Sequence, residues 1–305
     1  MVRNVKKTFM SILAGVTALS VCLAPGAVSK ADSVDVRPYI AFGADLTNSQ
    51  KNTVMEQLGV TKDTLADYET IAVTNEDEHK YLDSYLDNNV IGTKALSSVK
   101  IEEADAGSGI RVETHNITFC TVEMYTNALA TAGISDAVVT VAAPFNISGT
   151  AALVGAMKAY GTMTGEEIDS DSADAATNEL VLTGELGDSI GKDEASQLIA
   201  LVKDKVIRGD LSDAEEIEQA IQDAMQELNI SLSDSQKQEI LSLMQKIGDL
   251  DLDLGAIQDQ AKGIYEKLKN LDIDLSQAEG ILEKIGNFFA ELFQKIAEFF
   301  AGLFK

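Results

Sequence analysis

Residues 109–160 read GIRVETHNITFCTVEMYTNALATAGISDAVVTVAAPFNISGTAALVGAMKAY, and the fold is organised around them. Ile110, Val112 and Thr114 alternate with Arg111, Glu113 and His115, the period-2 pattern of a half-buried strand. A helical segment follows from Phe119 to Thr131, closed by Gly133. Residues 137–143 then run almost continuously apolar, as a strand covered on both faces does. Pro144 is expected to end that strand, and Ser148-Gly149-Thr150 to open a small-residue helix through Tyr160. The unit is strand–helix–strand–helix, and a parallel crossover of this kind is almost always right-handed.

Upstream, Val36 to Phe42 reads as a strand with Pro38 at its start or at a sheet edge. Thr47-Asn48-Ser49-Gln50 is a capping box opening a helix to Leu58, closed at Gly59. Tyr68 to Thr74 is β-prone. Thr74-Asn75-Glu76-Asp77 opens a further helix that carries Tyr81, Leu82, Tyr85 and Leu86 on one face and ends near Asn88-Asn89. Lys94–Glu103 and Gly109–Thr118 read as two strands joined as a hairpin through Ala106-Gly107-Ser108-Gly109. Residues 32–165 are therefore expected to form a mixed α/β domain with four or five strands.

Downstream, residues 166–190 read as an acidic, serine-rich linker, with Glu166 to Asp174 expected to be exposed and cut first by proteases. Helix openings then recur after Ile190, Leu211, Leu232, Leu254 and Leu275, at steps of 21, 21, 22 and 21 residues. Ser212-x-x-Glu215 and Ser233-x-x-Gln236 are capping boxes. Residues 191–275 are read as short antiparallel helices, and equal helix length, rather than duplication, is the preferred explanation of the period. The fold class is α+β or α/β: a strand-helix-strand-helix core followed by a helical C-terminal region that ends in a long amphipathic helix.

The 305-residue chain opens with Arg3, Lys6 and Lys7, an apolar run from Thr8 to Ala24, and the small-x-small site Ser29-Lys30-Ala31. This is the pattern of a secretory signal peptide spanning residues 1–31, with cleavage after Ala31. Val21 before Cys22 is too large for a lipoprotein cleavage box. Removing the signal takes Arg3, Lys6, Lys7 and Lys30 and no acidic residue, which leaves 20 Lys and Arg against 49 Asp and Glu. So acidic a chain argues against nucleic acid as a partner, because phosphates need a basic surface. Cys120 is then the sole cysteine, so no internal disulfide is expected.

The run NITFCTVEMYTNALATAGISDAVVTVAAPFNISGTAALVGAMKAY, with VTNEDEHKYL and ALSSVKIEE upstream, closely resembles the YpuA-like family of secreted bacterial proteins, which carry a domain of unknown function. The resemblance covers about residues 34–270 and leaves out the phenylalanine-rich tail. It implies an exported protein, found mainly in Gram-positive bacteria and located in the cell envelope or outside the cell. It supplies no catalytic residues.

The residues themselves offer a few sites. His115 and Cys120 flank a strand-to-helix junction, where a thiolate is activated and a histidine can act as base. A buried cysteine and a histidine on a polar strand face account for them more simply, since no nucleophile signature surrounds them. Arg111, Glu113 and His115 share a face, which suits a polar ligand or plain cross-strand ion pairs. Glu113, His115 and Asp77 are the acid–base candidates of a secreted hydrolase. Ser148, Gly149 and Thr150 are the candidate anion site, and an ordinary helix cap needs the same residues. Asp249, Asp251 and Asp253, and Asp169 with Asp171, resemble calcium ligands but lack the helix–loop–helix spacing. Two histidines and one mature cysteine make zinc a poor fit, so neither metal nor cofactor is expected.

Residues 276–305 form the most segregated stretch. At 100° per residue, Phe288, Phe289, Leu292, Phe293, Ile296, Phe299, Phe300 and Phe304 fall within one arc of about 160°. Such a face is expected to make peripheral contact with membrane or with another copy of the chain, with docking on its own core as the rival. The function expected is that of a secreted or envelope-associated protein that binds or scaffolds without catalysis; a secreted hydrolase is the alternative.

Overall fold

The structure is a computed structural model, and it describes residues 37–165, 167–250 and 252. The signal peptide, the helices expected after Leu254 and Leu275, and the aromatic face of residues 276–305 lie outside the described residues.

Strands β1 (Tyr39–Gly43), β2 (Glu69–Val73), β3 (Ser98–Glu103), β4 (Ile110–Ile117) and β5 (Ala137–Ile147) form one sheet in the order β2-β1-β3-β5-β4. The β1–β2 and β4–β5 pairs are parallel, and β3 runs antiparallel to both its neighbours. Four strands thus point one way and share one carboxyl end. The expected β3–β4 hairpin does not form, because β5 lies between the two strands. Val139, Val141, Ala142 and Ala143 are all buried, and only a central strand covers such a run on both faces. The Ala104–Gly109 connection therefore spans two strand spacings, roughly 10 Å. The Asp136 carboxylate holds it, accepting from Gly107 N at 3.0 Å and Gly109 N at 2.8 Å.

Pro144 does not end β5, which continues to Ile147. Beyond Ala142 the strand has left β3, and its pairing with β4 is bulged between His115 and Ile117, so no ladder bond needs the proline N–H. Asn116 takes a left-handed conformation in that bulge and donates from Nδ2 to Ala143 O at 2.9 Å.

The helices are α1 (Asn48–Gln57), α2 (Asn75–Leu82), α3 (Asn88–Ile91), α4 (Val122–Thr131), α5 (Thr150–Thr164), α6 (Ser170–Ile190), α7 (Lys192–Gly209), α8 (Ala214–Glu227) and α9 (Asp234–Gly248). Helix α1 covers Ile40, Phe42 and Ala142 on one face of the sheet. Helices α4 and α5 bury Ala41, Val99, Ile101, Val139 and Val141 on the other. Gly155 lets α5 settle close to the strands: a β-carbon there would lie 3.0 Å from Ala41 Cβ and 3.1 Å from Val73 Cγ2. The capping boxes at Thr47 and Ser233 form as read, and the helix opening at Thr74 is a capping box as well. At α8 the cap is Asp213 and not Ser212, with Asp213 accepting from Glu215 N at 2.8 Å. Helix α2 stops at Leu82, earlier than its apolar face implied, although Leu86 still packs with Leu82, Ile91 and Val181.

Residues 170–190 are a long packed helix, not a linker. The acidic start is a cap: the Asp169 carboxylate accepts from Asp171 N and Ser172 N. Beyond it, Ala173, Ala176 and Leu180 join the core beneath the sheet, while Ala175, Leu182 and Leu186 join the core of α7, α8 and α9. The low apolar content of residues 166–174 conceals a helix whose two buried faces come from the residues that follow. The Thr177 and Thr183 hydroxyls donate to carbonyls four residues back, so neither is left without a partner in these cores.

Where α4, α6 and α7 meet, Lys203 and Glu179 form a fully buried ion pair at 2.8 Å. Lys203 also donates to Asn127 O and to Thr131 Oγ1, each at 2.9 Å, and Thr131 donates to Glu179. Next along α7, buried Asp204 pairs with Arg208 at 2.5 Å. Burial outweighs that partner and pushes the Asp204 carboxyl up to about 6 from its ordinary 3.8. The folded chain therefore keeps this proton after the unfolded chain has lost it, and stability from this group falls as pH rises from about 4 to about 6. The shift of about two units corresponds to about 3 kcal/mol. Urea unfolding of wild type and Asp204→Asn across that range should show the wild type losing this much relative to the variant, with a constant difference above pH 7. A pH-independent difference would contradict it.

Candidate functional site

The carboxyl ends of the parallel strands surround a recess of about 310 Å³. Each wall follows from local sequence. β2 runs into the Thr74 capping box, which starts α2 and brings Glu78 one turn later to the recess. β5 turns at Gly149 into α5, which presents Ser148 and Thr150. The third wall, residues 90–97, is the approach to β3. Asp45, just past β1, clamps that wall: it accepts from Ala95 N at 2.9 Å and donates its own N–H to Ala95 O at 3.2 Å. Gly43 permits the approach, since a β-carbon there would lie 2.4 Å from Ala95 O. Ser97 Oγ accepts from Ala152 N at 3.0 Å and ties the wall to the first turn of α5.

Glu78 is only 2% exposed. Its carboxylate accepts from Thr150 Oγ1 at 2.9 Å and, at 3.4 Å, from Asn75 Nδ2. Burial raises its pKa, and the nearby Asp45 charge adds to the rise, against the pull of those two bonds. Behind it, the Tyr125 hydroxyl donates to Gly149 O at 2.6 Å, and the Cys120 thiol packs against Tyr125.

The predicted site residues fall in separate places. Ser148 and Thr150 do border the recess, whereas Gly149 is not among its lining residues, and the helix start they form is met by the chain's own anion, Glu78, through the Thr150 hydroxyl. The cap itself is Gly149, in a left-handed conformation, rather than Ser148. Cys120 is 3% exposed. Burial pushes its thiol up to about 12, which removes the nucleophile. At pH 8, thiol labelling in the folded chain should be about a thousandfold slower than in denaturant. Fast labelling of the folded chain would reverse this reading.

His115 lies on the polar face of β4 with its Nε2 3.2 Å from Glu113 Oε1. Arg111 and Glu113 share that face and oppose Val138 and Thr140 of β5. Asp77 sits at the start of α2. Its carboxylate accepts from Thr74 N and Thr74 Oγ1 and pairs with Lys158 at 2.9 Å. Burial works against its charge, but these partners hold it below the ordinary carboxylate range. Asp249 caps the end of α9, whereas Asp251 and Asp253 lie outside the described residues. Among the described residues, no three histidine, cysteine or carboxylate side chains gather as a metal would require.

A family model described as "Protein of unknown function (DUF1002)" matches residues 42–264. Over 296 residues the chain is 40% identical to the uncharacterized protein YpuA of Bacillus subtilis (strain 168), covering 97% of this chain and 99% of that relative. This chain belongs to that family. The similarity to this relative extends beyond residues 34–270. No solved structure matches the chain.

For this family member, sequence reading missed Glu78, which looked like one more acid in the first turn of an amphipathic helix. A signal was present: Glu78 and Leu82 are four apart and face the same side as Tyr81 and Tyr85. An acid on an apolar stripe marks a buried carboxylate. Its partner Thr150, 72 residues away, was not legible.

Proposed function

We propose that this chain is an exported protein of the cell envelope that acts by binding, with its α/β part holding the ligand and its C-terminal segment mediating association. The observation that supports binding most is the recess at the shared carboxyl ends. Parallel strands in open sheets commonly carry ligands there, and its walls are pre-set by Asp45, Gly43 and Ser97. Export rests on the basic, apolar and small-x-small pattern of residues 1–31. Association with membrane or with another copy rests on the phenylalanine face of residues 276–305.

Expression in a Gram-positive host tests this. The exported chain should begin at Asp32. The full chain should sediment with the membrane or as an oligomer, and a form truncated after Gln277 should be released as a monomer. A purified chain that cleaves wall or peptide substrates, and stops doing so in Glu78→Gln or His115→Ala, would replace binding with hydrolysis.

A further inference from the structure

The recess carries two charges of opposite sign that do not meet one another. Glu78 is buried, and among the described residues no lysine or arginine reaches ion-pair distance of it; its partners are a hydroxyl and a distant amide. A carboxylate can accept about four hydrogen bonds, so acceptor positions remain. A dehydrated carboxylate is costly unless a cation joins it. Lys94 stands exposed on the same recess, likewise without a carboxylate partner among the described residues. Ser148, Thr150 and the apolar residues Ile91, Leu96 and Ile147 line the same recess. A volume of about 310 Å³ is at the small end of ligand pockets.

We propose that the recess binds a free α-amino acid with a branched apolar side chain: the ammonium on Glu78, the carboxylate on Lys94, and the side chain on Ile91, Leu96 and Ile147. A zwitterion answers both charges at once, which neither a neutral sugar nor a simple anion does. Burial disfavours the Glu78 charge when nothing is bound, and the ligand's ammonium offsets that penalty. The inference rests on the binding reading above and gives it a ligand class. The two fail separately: export and retention are read by fractionation, the ligand by titration of purified protein.

Calorimetric titration of the full mature chain with L-leucine, N-acetyl-L-leucine and isoamylamine tests the assignment. Leucine is expected to bind saturably and the acetylated form not at all. Isoamylamine, which lacks the carboxylate, should bind about tenfold more weakly. Lys94→Ala should weaken leucine about tenfold and leave isoamylamine unchanged. Glu78→Gln should remove both, with its fold checked by thermal melting. If Glu78→Gln does not fold, Lys94→Ala decides, because the Lys94 side chain is exposed and forms no ion pair among the described residues. No saturable binding of leucine, equal binding of leucine and its acetylated form, or wild-type binding of leucine by Lys94→Ala would overturn the proposal.

Discussion

Lys203→Met is expected to cost about 3–5 kcal/mol, the usual penalty for leaving one member of a buried ion pair without its partner. The side chains of Lys203 and Glu179 are fully inaccessible. Burial alone pulls the Lys203 ammonium below its ordinary pKa, so the charge is held in place by Glu179, Thr131 and Asn127. Removing the lysine strands the Glu179 carboxylate among α4, α6 and α7, and Thr131 then remains its main donor. The double variant Lys203→Met with Glu179→Leu should recover most of the loss, because paired apolar replacements of similar volume are often neutral. Urea unfolding of the two singles and the double closes the cycle. A single loss below about 1 kcal/mol would mean that water reaches the pair.

Gly149→Ala is expected to cost about 2–5 kcal/mol. Two effects add. The φ of +97° is a left-handed conformation that a β-carbon penalises by about 1–2 kcal/mol. The new methyl would also lie 2.5 Å from the Tyr125 hydroxyl and 2.6 Å from Ile117 Cγ2. Tyr125 is fully buried and cannot move aside, so overpacking adds about 1–3 kcal/mol. Gly165→Ala is the matched control: its φ is also positive, at +76°, but no atom lies within 4 Å of the added carbon. Thermal or urea unfolding should show the Gly149 change costing clearly more. Equal costs would mean that the turn yields and that the Tyr125 contact holds nothing. Because Gly149 sets the start of α5, leucine binding should weaken in the same variant.

The sequence was most legible where neighbouring residues decide structure. The alternation from Ile110 to His115, the caps at Thr47, Thr74 and Ser233, and Gly133 after α4 each read through bonds that span a few residues. It misled where a local signal met a distant competitor. Ala106 to Gly109 has the composition of a hairpin turn, yet β5 separates the strands, because its continuous apolar run buries more at the sheet centre than at an edge. Residues 166–174 look like a linker when taken alone, yet α6 lies between two cores. The same holds for the site. Ser148, Gly149 and Thr150 were visible as a strand-to-helix corner, whereas Glu78 became their partner only when α2 and α5 packed side by side.

By itself, then, the sequence determined the family, the class of fold, the acidic composition and most element boundaries. Helix caps, alternation and charge are properties of residues close in the chain. Only the tertiary structure decided the strand order, the burial that pushes Cys120 up to about 12, and the meeting of Glu78 with Thr150 and of Lys203 with Glu179. Each of these depends on solvent being excluded by residues tens of positions away, and no local pattern records which distant surface will do it.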